Sequence, residues 1–202
     1  MKRRAAKLLS LLALLATTQA YSQITPHTTA DYRLFGYPQQ VRYMKFESDS
    51  NLKNQRTSFI EDYQLTFDNQ RRLTERTNYI DGKQDRHCKF EYDNNRHLAK
   101  ETLMEADNKI VSITEYTYNY LGRVSQITTV EYPQSRGGAN TIVRQEIYEY
   151  NTKGQQIKQT ISSDNNKESR TTEFFYGPQD SLIYSITKYS YNNHVDKTTY
   201  KR

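Results

Sequence analysis

Apolar and polar residues alternate along most of the chain, in segments that each end at an aromatic residue. Tyr63, Leu65 and Phe67 alternate with Gln64 and Thr66, and the same period recurs before later aromatic residues. Successive side chains of a strand point to opposite faces, so a period of two predicts strands with one buried face and one solvated face. After residue 20 no segment has convincing helical periodicity. The pattern therefore predicts an all-β chain.

The aromatic residues that end these segments are each followed by the same phrase. Turn formers such as Asp, Asn and Gly come next, and then an aliphatic residue, with spacings of 32, 25, 26, 32 and 26 positions between copies. Asp, Asn and Gly accept the positive φ of tight hairpins, so each copy predicts a β-hairpin. We interpret the aromatic residues as structural and call them the anchors: Phe35, Phe67, Tyr92, Tyr118, Tyr150 and Tyr176.

Six such hairpins predict an antiparallel meander of about twelve strands, because a fixed period is typical of repeat architecture. We expect residues 21–202 to form a single β-repeat domain, with units that start near 31, 61, 86, 112, 144 and 170. The first unit is degenerate and reads as an N-terminal cap, and residues 189–193 read as the start of a truncated seventh copy. One apolar face must leave water, so we expect a curled sheet. The alternative is a closed up-and-down barrel.

The fourth unit resembles the YD repeat of Rhs and WapA-type bacterial surface proteins and of teneurins. It runs Tyr-Thr-Tyr-Asn-Tyr-Leu-Gly-Arg-Val from Tyr116, against a family pattern of Tyr-x-Tyr-Asp-x-x-Gly-Arg-Leu; Asn119 and Val124 replace the family's Asp and Leu. The resemblance covers roughly residues 60–187. It implies strands of a long sheet that spirals into a shell, and this chain is similar to the small exported YD-repeat proteins of Bacteroidetes-type bacteria.

Residues 1–20 have the three parts of a secretory signal peptide. Four basic residues precede the apolar run 8–16, and small residues at 18 and 20 suit cleavage after Ala20. Without these residues 25 basic residues face 23 acidic ones, so the formal charge falls from +6 to +2. We expect an exported protein, periplasmic or extracellular, with no membrane span after cleavage. The small charge gives no electrostatic case for nucleic acid.

The residues that catalysis or metal binding would use are scattered. Cys88 is the only cysteine and falls on an apolar strand face, where a packed side chain is the expected role. No His lies at metal-ligand spacing from another His or from Cys88, so no cofactor or metal is expected. The acidic pairs, such as Glu61 with Asp62, Glu91 with Asp93, and Glu146 with Glu149, recur beside Lys and Arg. Cross-strand ion pairs explain them better than glycoside hydrolysis does.

Two hypotheses for function remain. The favoured one is a non-enzymatic exported repeat protein that serves as a binding or structural module at the envelope. The alternative is a glycan-binding or glycan-cleaving protein that uses tyrosine platforms and paired carboxylates. The partner is unknown under both, with an envelope glycan or another exported protein as the candidates.

Overall fold

A computed structural model of the chain describes residues 28–48, 57–133, 141–163 and 168–200, without the side chains of residues 46–48 and 57–60. The predicted signal segment, 1–20, and the predicted turns at 135–138 and 164–166 lie outside these ranges. Within the same ranges, no helix combines the length and the hydropathy needed to cross a bilayer.

In the described ranges, twelve strands form one antiparallel sheet in which each strand pairs with its neighbours in the sequence. They are β1 (Gln40–Ser48), β2 (Thr57–Phe67), β3 (Leu73–Ile80), β4 (Lys83–Tyr92), β5 (Leu98–Glu105), β6 (Ile110–Tyr118), β7 (Val124–Glu131), β8 (Ile142–Tyr150), β9 (Gln156–Ser163), β10 (Glu168–Tyr176), β11 (Leu182–Tyr189) and β12 (Val195–Thr199). The predicted all-β meander is confirmed, and a single turn of 3-10 helix (Pro178–Asp180) is the one helical element in the described ranges.

The sheet is open and curled, and it does not close into a barrel. The predicted curled sheet is therefore confirmed, and the barrel alternative is not adopted. A register shift accompanies the anchor at the end of β2, β4, β6, β8 and β10. An extra residue in one strand bends it and increases the local right-handed twist. Repeated bulges at one end of the sheet thus supply curvature at regular intervals.

The hairpins alternate between two kinds of turn at the two ends of the sheet. At one end, the anchors lead into the turns described in the next section; we call this the anchor end. At the other end, Asp81 and Gly82 connect β3 to β4 with φ values of 50° and 73°. Positive φ at both central residues is the requirement of the tightest hairpin loop, which Asp-Gly satisfies.

The most buried apolar cluster lies near the N-terminal end of the sheet. Leu65, Phe67 and Leu73 are at most 4% exposed. Tyr32 packs its ring edge-on against Phe67, with 6.1 Å between ring centroids, and Leu34 joins the same cluster. The segment 28–34 thus folds over the β2–β3 hairpin as a cap would.

Candidate functional site: the anchor row

The turn after β2 is held by one carboxylate. Asp68 Oδ1 accepts hydrogen bonds from the amides of Gln70 (2.8 Å) and Arg72 (2.9 Å), and its Oδ2 accepts one from Arg72 Nε (2.8 Å). Burial opposes ionisation of Asp68, but the hydrogen bonds from Arg72 outweigh it and lower the pKa of this carboxyl below its ordinary value. The charged form of Asp68 is therefore the form that the turn stabilises.

The next turns repeat this geometry with different residues. Asp93, Asn119 and Asn151 each accept a hydrogen bond from the amide four positions on, at 2.7, 3.0 and 2.9 Å. The residue three positions after each of these turn acceptors has φ between 65° and 81°: Arg71, Arg96, Gly122 and Gly154. Asp or Asn supplies the side-chain oxygen that closes the turn, and Gly best tolerates the left-handed position.

Each tyrosine anchor reaches back to the preceding strand with its hydroxyl. The hydroxyls donate to a backbone carbonyl at 2.7–2.8 Å, and the pairs are Tyr92 to Leu73, Tyr118 to Leu98, Tyr150 to Val124 and Tyr176 to Gln156. Each acceptor is the first residue of the odd-numbered strand before the anchor's own strand. We call these four hydrogen bonds the anchor row.

Burial keeps these hydroxyls protonated. It raises the pKa of Tyr118 to about 12, with smaller contributions from the charges of Asp93 and Glu101, and it raises the pKa of Tyr92 as well. A phenol with a raised pKa remains a hydrogen-bond donor at any physiological pH. The anchor row is therefore a set of fixed structural donors.

A basic or imidazole side chain covers three of the anchor rings. The Arg72 guanidinium lies 4.5 Å from the centroid of the Tyr92 ring, His97 stacks on Tyr118 at 4.5 Å, and Arg123 lies 5.7 Å from the Tyr150 centroid. Each covering residue comes directly before the acceptor residue of the hydrogen bond that the same anchor donates. The two cation–π contacts, the His97 ring stack and the anchor hydrogen bonds therefore tie each unit to the next one.

Arg123 differs from its counterparts because no carboxylate of the described residues pairs with it. Arg72 pairs with Asp68 (2.7 Å) and His97 with Asp93 (3.3 Å), whereas the turn residue before Arg123 is the neutral Asn119. Arg123 Nη1 is buried and has no hydrogen-bond partner among the described residues. Gly154 packs against this guanidinium, and a Cβ at position 154 would overlap it.

Two of the predicted anchors, both phenylalanines, lack the hydrogen bond of the anchor row. Phe35 does not share the anchor geometry: its residue is 97% exposed and lies before β1. Residues 29–33 form turns, so no strand leads up to Phe35 and its ring has no neighbouring strand to pack on. Phe67 is buried but, as a phenylalanine, has no hydroxyl to donate.

Tyr200, directly after β12, lies opposite Ile183 of β11, two residues before the position that corresponds to an anchor. Its amide donates to the Ile183 carbonyl at 2.8 Å, and its hydroxyl lies 3.3 Å from Ser185 Oγ, so it lacks the backbone partner of the anchor row. Tyr189, read as the start of a seventh copy, instead ends β11.

The carboxylates considered for catalysis all have structural partners in the described ranges, apart from the exposed Glu61. Asp62 accepts two hydrogen bonds from Arg42, at 2.9 and 3.0 Å. Glu91 pairs with Lys100 (3.8 Å), Glu149 with Lys158 (2.8 Å), and Glu146 with Arg144 (3.0 Å) and the Tyr148 hydroxyl (2.7 Å).

Cys88 has the character of a packed side chain. Burial, with a smaller contribution from Glu101, raises the pKa of its thiol to about 12. The thiolate is the nucleophilic form of cysteine, so this thiol is poorly reactive at neutral pH. In the part of the chain that the structure describes, no three His, Cys, Asp or Glu side chains gather where they could hold a metal ion.

The chain shares its fold with part of a toxin. No protein-family model and no curated protein matches it. It is similar to a chain of the Photorhabdus luminescens Tc holotoxin pore carrying the TccC3-D651A mutation, with a TM-score of 0.57, 15% identity, and coverage of 74% of this chain and 8% of the other. A structure of TcdB2–TccC3–Cdc42 also aligns over 79% of this chain and 11% of the other at 14% identity, but with a TM-score of 0.25.

The chain thus spans a small part of the first protein, and the likeness concerns the fold alone. Tc toxin components contain Rhs/YD repeats, so the shared fold agrees with the resemblance carried by the repeat motif.

Replacing Tyr118 with Phe should lower the free energy of unfolding by about 1–2 kcal/mol, because the Leu98 carbonyl loses its donor in a buried setting. Chemical denaturation of the variant and the wild type measures the difference. Tyr120→Phe is the matched control, since Tyr120 is 93% exposed, and it should leave the midpoint unchanged. Equal midpoints for both variants would mean that the anchor hydrogen bond contributes nothing to stability.

Replacing Asn119 with Asp should stabilise the fold by about 0.5–1 kcal/mol, because the new carboxylate would face the unneutralised Arg123 as Asp68 faces Arg72. Thermal or chemical denaturation measures the change. Asn151→Asp is the control: the residue four positions on is the neutral Gln155, and the variant also loses the hydrogen bond that Asn151 Nδ2 donates to Gln155 Oε1 (2.7 Å), so no gain in stability is expected there. A gain at both positions, or at neither, would contradict the role given to Arg123.

Replacing Asp68 with Asn should cost about 1–2 kcal/mol at pH 7, because the charged acceptor of the turn is lost. Folding lowers the pKa of Asp68, so the ionised carboxylate stabilises the folded state fully above the unfolded-state pKa of about 3.9. This stabilisation is lost as the pH falls through the lower pKa of the folded state. The difference in the free energy of unfolding between wild type and variant, measured by denaturation, should therefore be smaller at about pH 3 than at pH 7. Asp85→Asn, at an exposed position of β4, is the control for removing one carboxylate. A difference in the free energy of unfolding that does not change with pH would contradict the role given to the Asp68 carboxylate.

Proposed function

We propose that this chain is a non-enzymatic, exported protein of the YD-repeat type that acts as a structural or binding module at the bacterial envelope. The anchor row carries the proposal. Its hydroxyls, together with the turn acceptors and the side chains that cover the anchor rings, are the residues that recur in the sequence, and each contacts another residue of the sheet. The repeated residues therefore serve to hold successive units together.

The environment of the carboxylates also supports a non-enzymatic role. Glu146 is engaged by Arg144 and Tyr148, and it lies on the opposite face of β8 from Glu149. A pair of glycosidase carboxylates must flank one bond from the same cleft. Side chains on opposite faces of a strand do not meet that requirement.

Exposed aromatic rings at the anchor end favour a binding role, and they keep the glycan alternative open. Tyr37 is 76% exposed in the loop before β1, and Tyr120 is 93% exposed at the tip of the β6–β7 turn. The anchor tyrosines use their hydroxyls within the sheet, so these tip residues are better placed to stack on sugar rings. A glycan-binding role would therefore use the tips and not the anchors.

One experiment with two readouts tests the proposal. For location, the chain is expressed with a C-terminal tag in a Gram-negative host, and the cells are fractionated. The wild type should appear outside the cytoplasm with Tyr21 as its first residue, and a Leu11→Arg, Leu12→Arg variant should stay inside because a charged apolar run no longer acts as a signal. Retention of the wild type in the cytoplasm would contradict export.

For activity, the purified protein is incubated with a panel of bacterial polysaccharides, and both binding and sugar release are measured. We expect no release. Binding that Tyr37→Ala or Tyr120→Ala abolishes, with Tyr43→Ala as an aromatic control on β1, would establish the glycan alternative. Sugar release that Glu146→Gln abolishes would contradict the non-enzymatic proposal.

A further inference from the structure

The side chain that closes a turn at the anchor end has two polar atoms, and in three turns the second atom contacts the side chain four positions on. Each of these pairs joins an atom that can donate a hydrogen bond to one that can accept it. The pairs are Asp68 Oδ2 with Arg72 Nε (2.8 Å), Asp93 Oδ2 with His97 Nδ1 (3.3 Å) and Asn151 Nδ2 with Gln155 Oε1 (2.7 Å). The side chains at the two positions thus complement each other in these three turns.

The turn after β6 places two donors at these positions. Asn119 Oδ1 accepts hydrogen bonds from the amides of Leu121 (2.9 Å) and Arg123 (3.0 Å), as Asp68 Oδ1 does from the two corresponding amides. Because Oδ1 is held in this way, Nδ2 takes the place of Asp68 Oδ2 and is directed towards the Arg123 side chain. A side-chain amide nitrogen and a guanidinium both donate and neither accepts, so they cannot bond to each other.

Arg123 has no acceptor elsewhere in the described part of the chain. Its guanidinium packs against Gly154 and lies 5.7 Å from the centroid of the Tyr150 ring. Nη1 is buried without a hydrogen-bond partner among the described residues, and no described carboxylate pairs with this side chain. A buried cationic group without a partner is costly. An anion that accepts from both Arg123 and Asn119 would satisfy this turn as the Asp68 carboxylate satisfies the turn after β2.

A carboxylate is the anion that suits these two donors. A guanidinium donates in a planar fork that matches the two oxygens of a carboxylate. Asp68 already provides a carboxylate to the arginine of its own turn, with 2.8 Å between Oδ2 and Arg72 Nε and 2.7 Å between Oδ2 and Nη2. Asn119 and Arg123 are both half-buried, so a carboxylate can approach them from solvent.

The residue next to Asn119 favours a sugar acid as the source of that carboxylate. Tyr120 lies at the tip of the same turn with its ring exposed to solvent. A tyrosine ring offers a large apolar surface, and the C–H groups of a pyranose ring can pack on it. A uronic acid carries its carboxylate directly on such a ring. One ligand residue of this kind would therefore use both the charged and the aromatic parts of the turn.

We propose that Asn119 and Arg123 form a binding site for the carboxylate of a uronic acid, with Tyr120 against the sugar ring. The inference rests on the binding role proposed above for the exposed tips, and it names the chemistry of the ligand. The contact with the carboxylate depends on the two donors alone, so it can be tested whether or not the chain is exported.

A titration of the isotopically labelled full chain with sodium glucuronate, followed by NMR, tests the site. The side-chain amide signals of Asn119 and the Nε–H signal of Arg123 should shift and saturate. Sodium acetate, which has the carboxylate without the ring, should shift the same signals with lower affinity. Glucose, which has the ring without the carboxylate, and sodium chloride at equal ionic strength should leave them in place.

Asn119→Asp is the decisive variant, because it supplies Arg123 with a carboxylate from the chain itself. The variant keeps the oxygen that closes the turn, so it should fold, and it should weaken glucuronate binding at least about tenfold. Asn151→Asp makes the same change of charge in the next turn of the anchor end and should bind as the wild type does. Tyr120→Ala should weaken the binding of glucuronate about two- to tenfold and leave the binding of acetate unchanged.

Two results would overturn the carboxylate site: a wild type whose Asn119 and Arg123 signals respond to neither glucuronate nor acetate, and an Asn119→Asp variant that binds both as the wild type does. Acetate binding as tight as glucuronate binding, or a Tyr120→Ala variant with unchanged affinity for glucuronate, would overturn the contact with the sugar ring. Fractionation of cells tests export and the titration tests the site, so the two proposals fail separately.

Discussion

A tyrosine hydroxyl that donates to a carbonyl of the neighbouring strand is the contact on which this sheet depends. A single sheet has no second sheet against which to bury its apolar face, so side chains must lie along the sheet itself. A tyrosine ring that does so buries a large apolar surface, but its hydroxyl then needs a partner. The first carbonyl of the preceding odd strand supplies that partner, as Leu98 does for Tyr118. Because the hydrogen bond crosses from one unit to the one before, it converts separate hairpins into a continuous structure.

The hydrogen-bond acceptor in each turn and the side chain that covers an anchor ring reinforce the contact that the anchor makes. Asp68 closes its turn and pairs with Arg72, whose guanidinium then covers the ring of Tyr92 in the next unit. Each unit is therefore stabilised by contacts with the units next to it, as in other repeat proteins. The chain varies this scheme from unit to unit. The imidazole of His97 takes the arginine's place on Tyr118, and the neutral Asn119 precedes Arg123 where Asp68 precedes Arg72.

The same scheme separates the residues that build the sheet from those that remain available for other roles. Anchor, acceptor and covering side chains all have partners within the sheet, whereas Tyr37 and Tyr120 at the tips remain exposed. The architecture thus resembles part of the Tc toxin in fold. An open meander ends in two edge strands, because only closure into a barrel removes them.

The strands, their order and most of the anchors could be predicted from the amino-acid sequence, because a period of two and the turn residues are local properties. Tyr92, Tyr118, Tyr150 and Tyr176 follow from the repeat alone. The partners of those residues do not, because the carbonyl that accepts from Tyr150 lies 26 residues away and becomes adjacent only through strand register. Phe35 fits the repeat, but residues 29–33 before it form turns and not a strand. Whether the sheet closes was also decided by the tertiary structure, since closure depends on twist and bulges summed over all twelve strands.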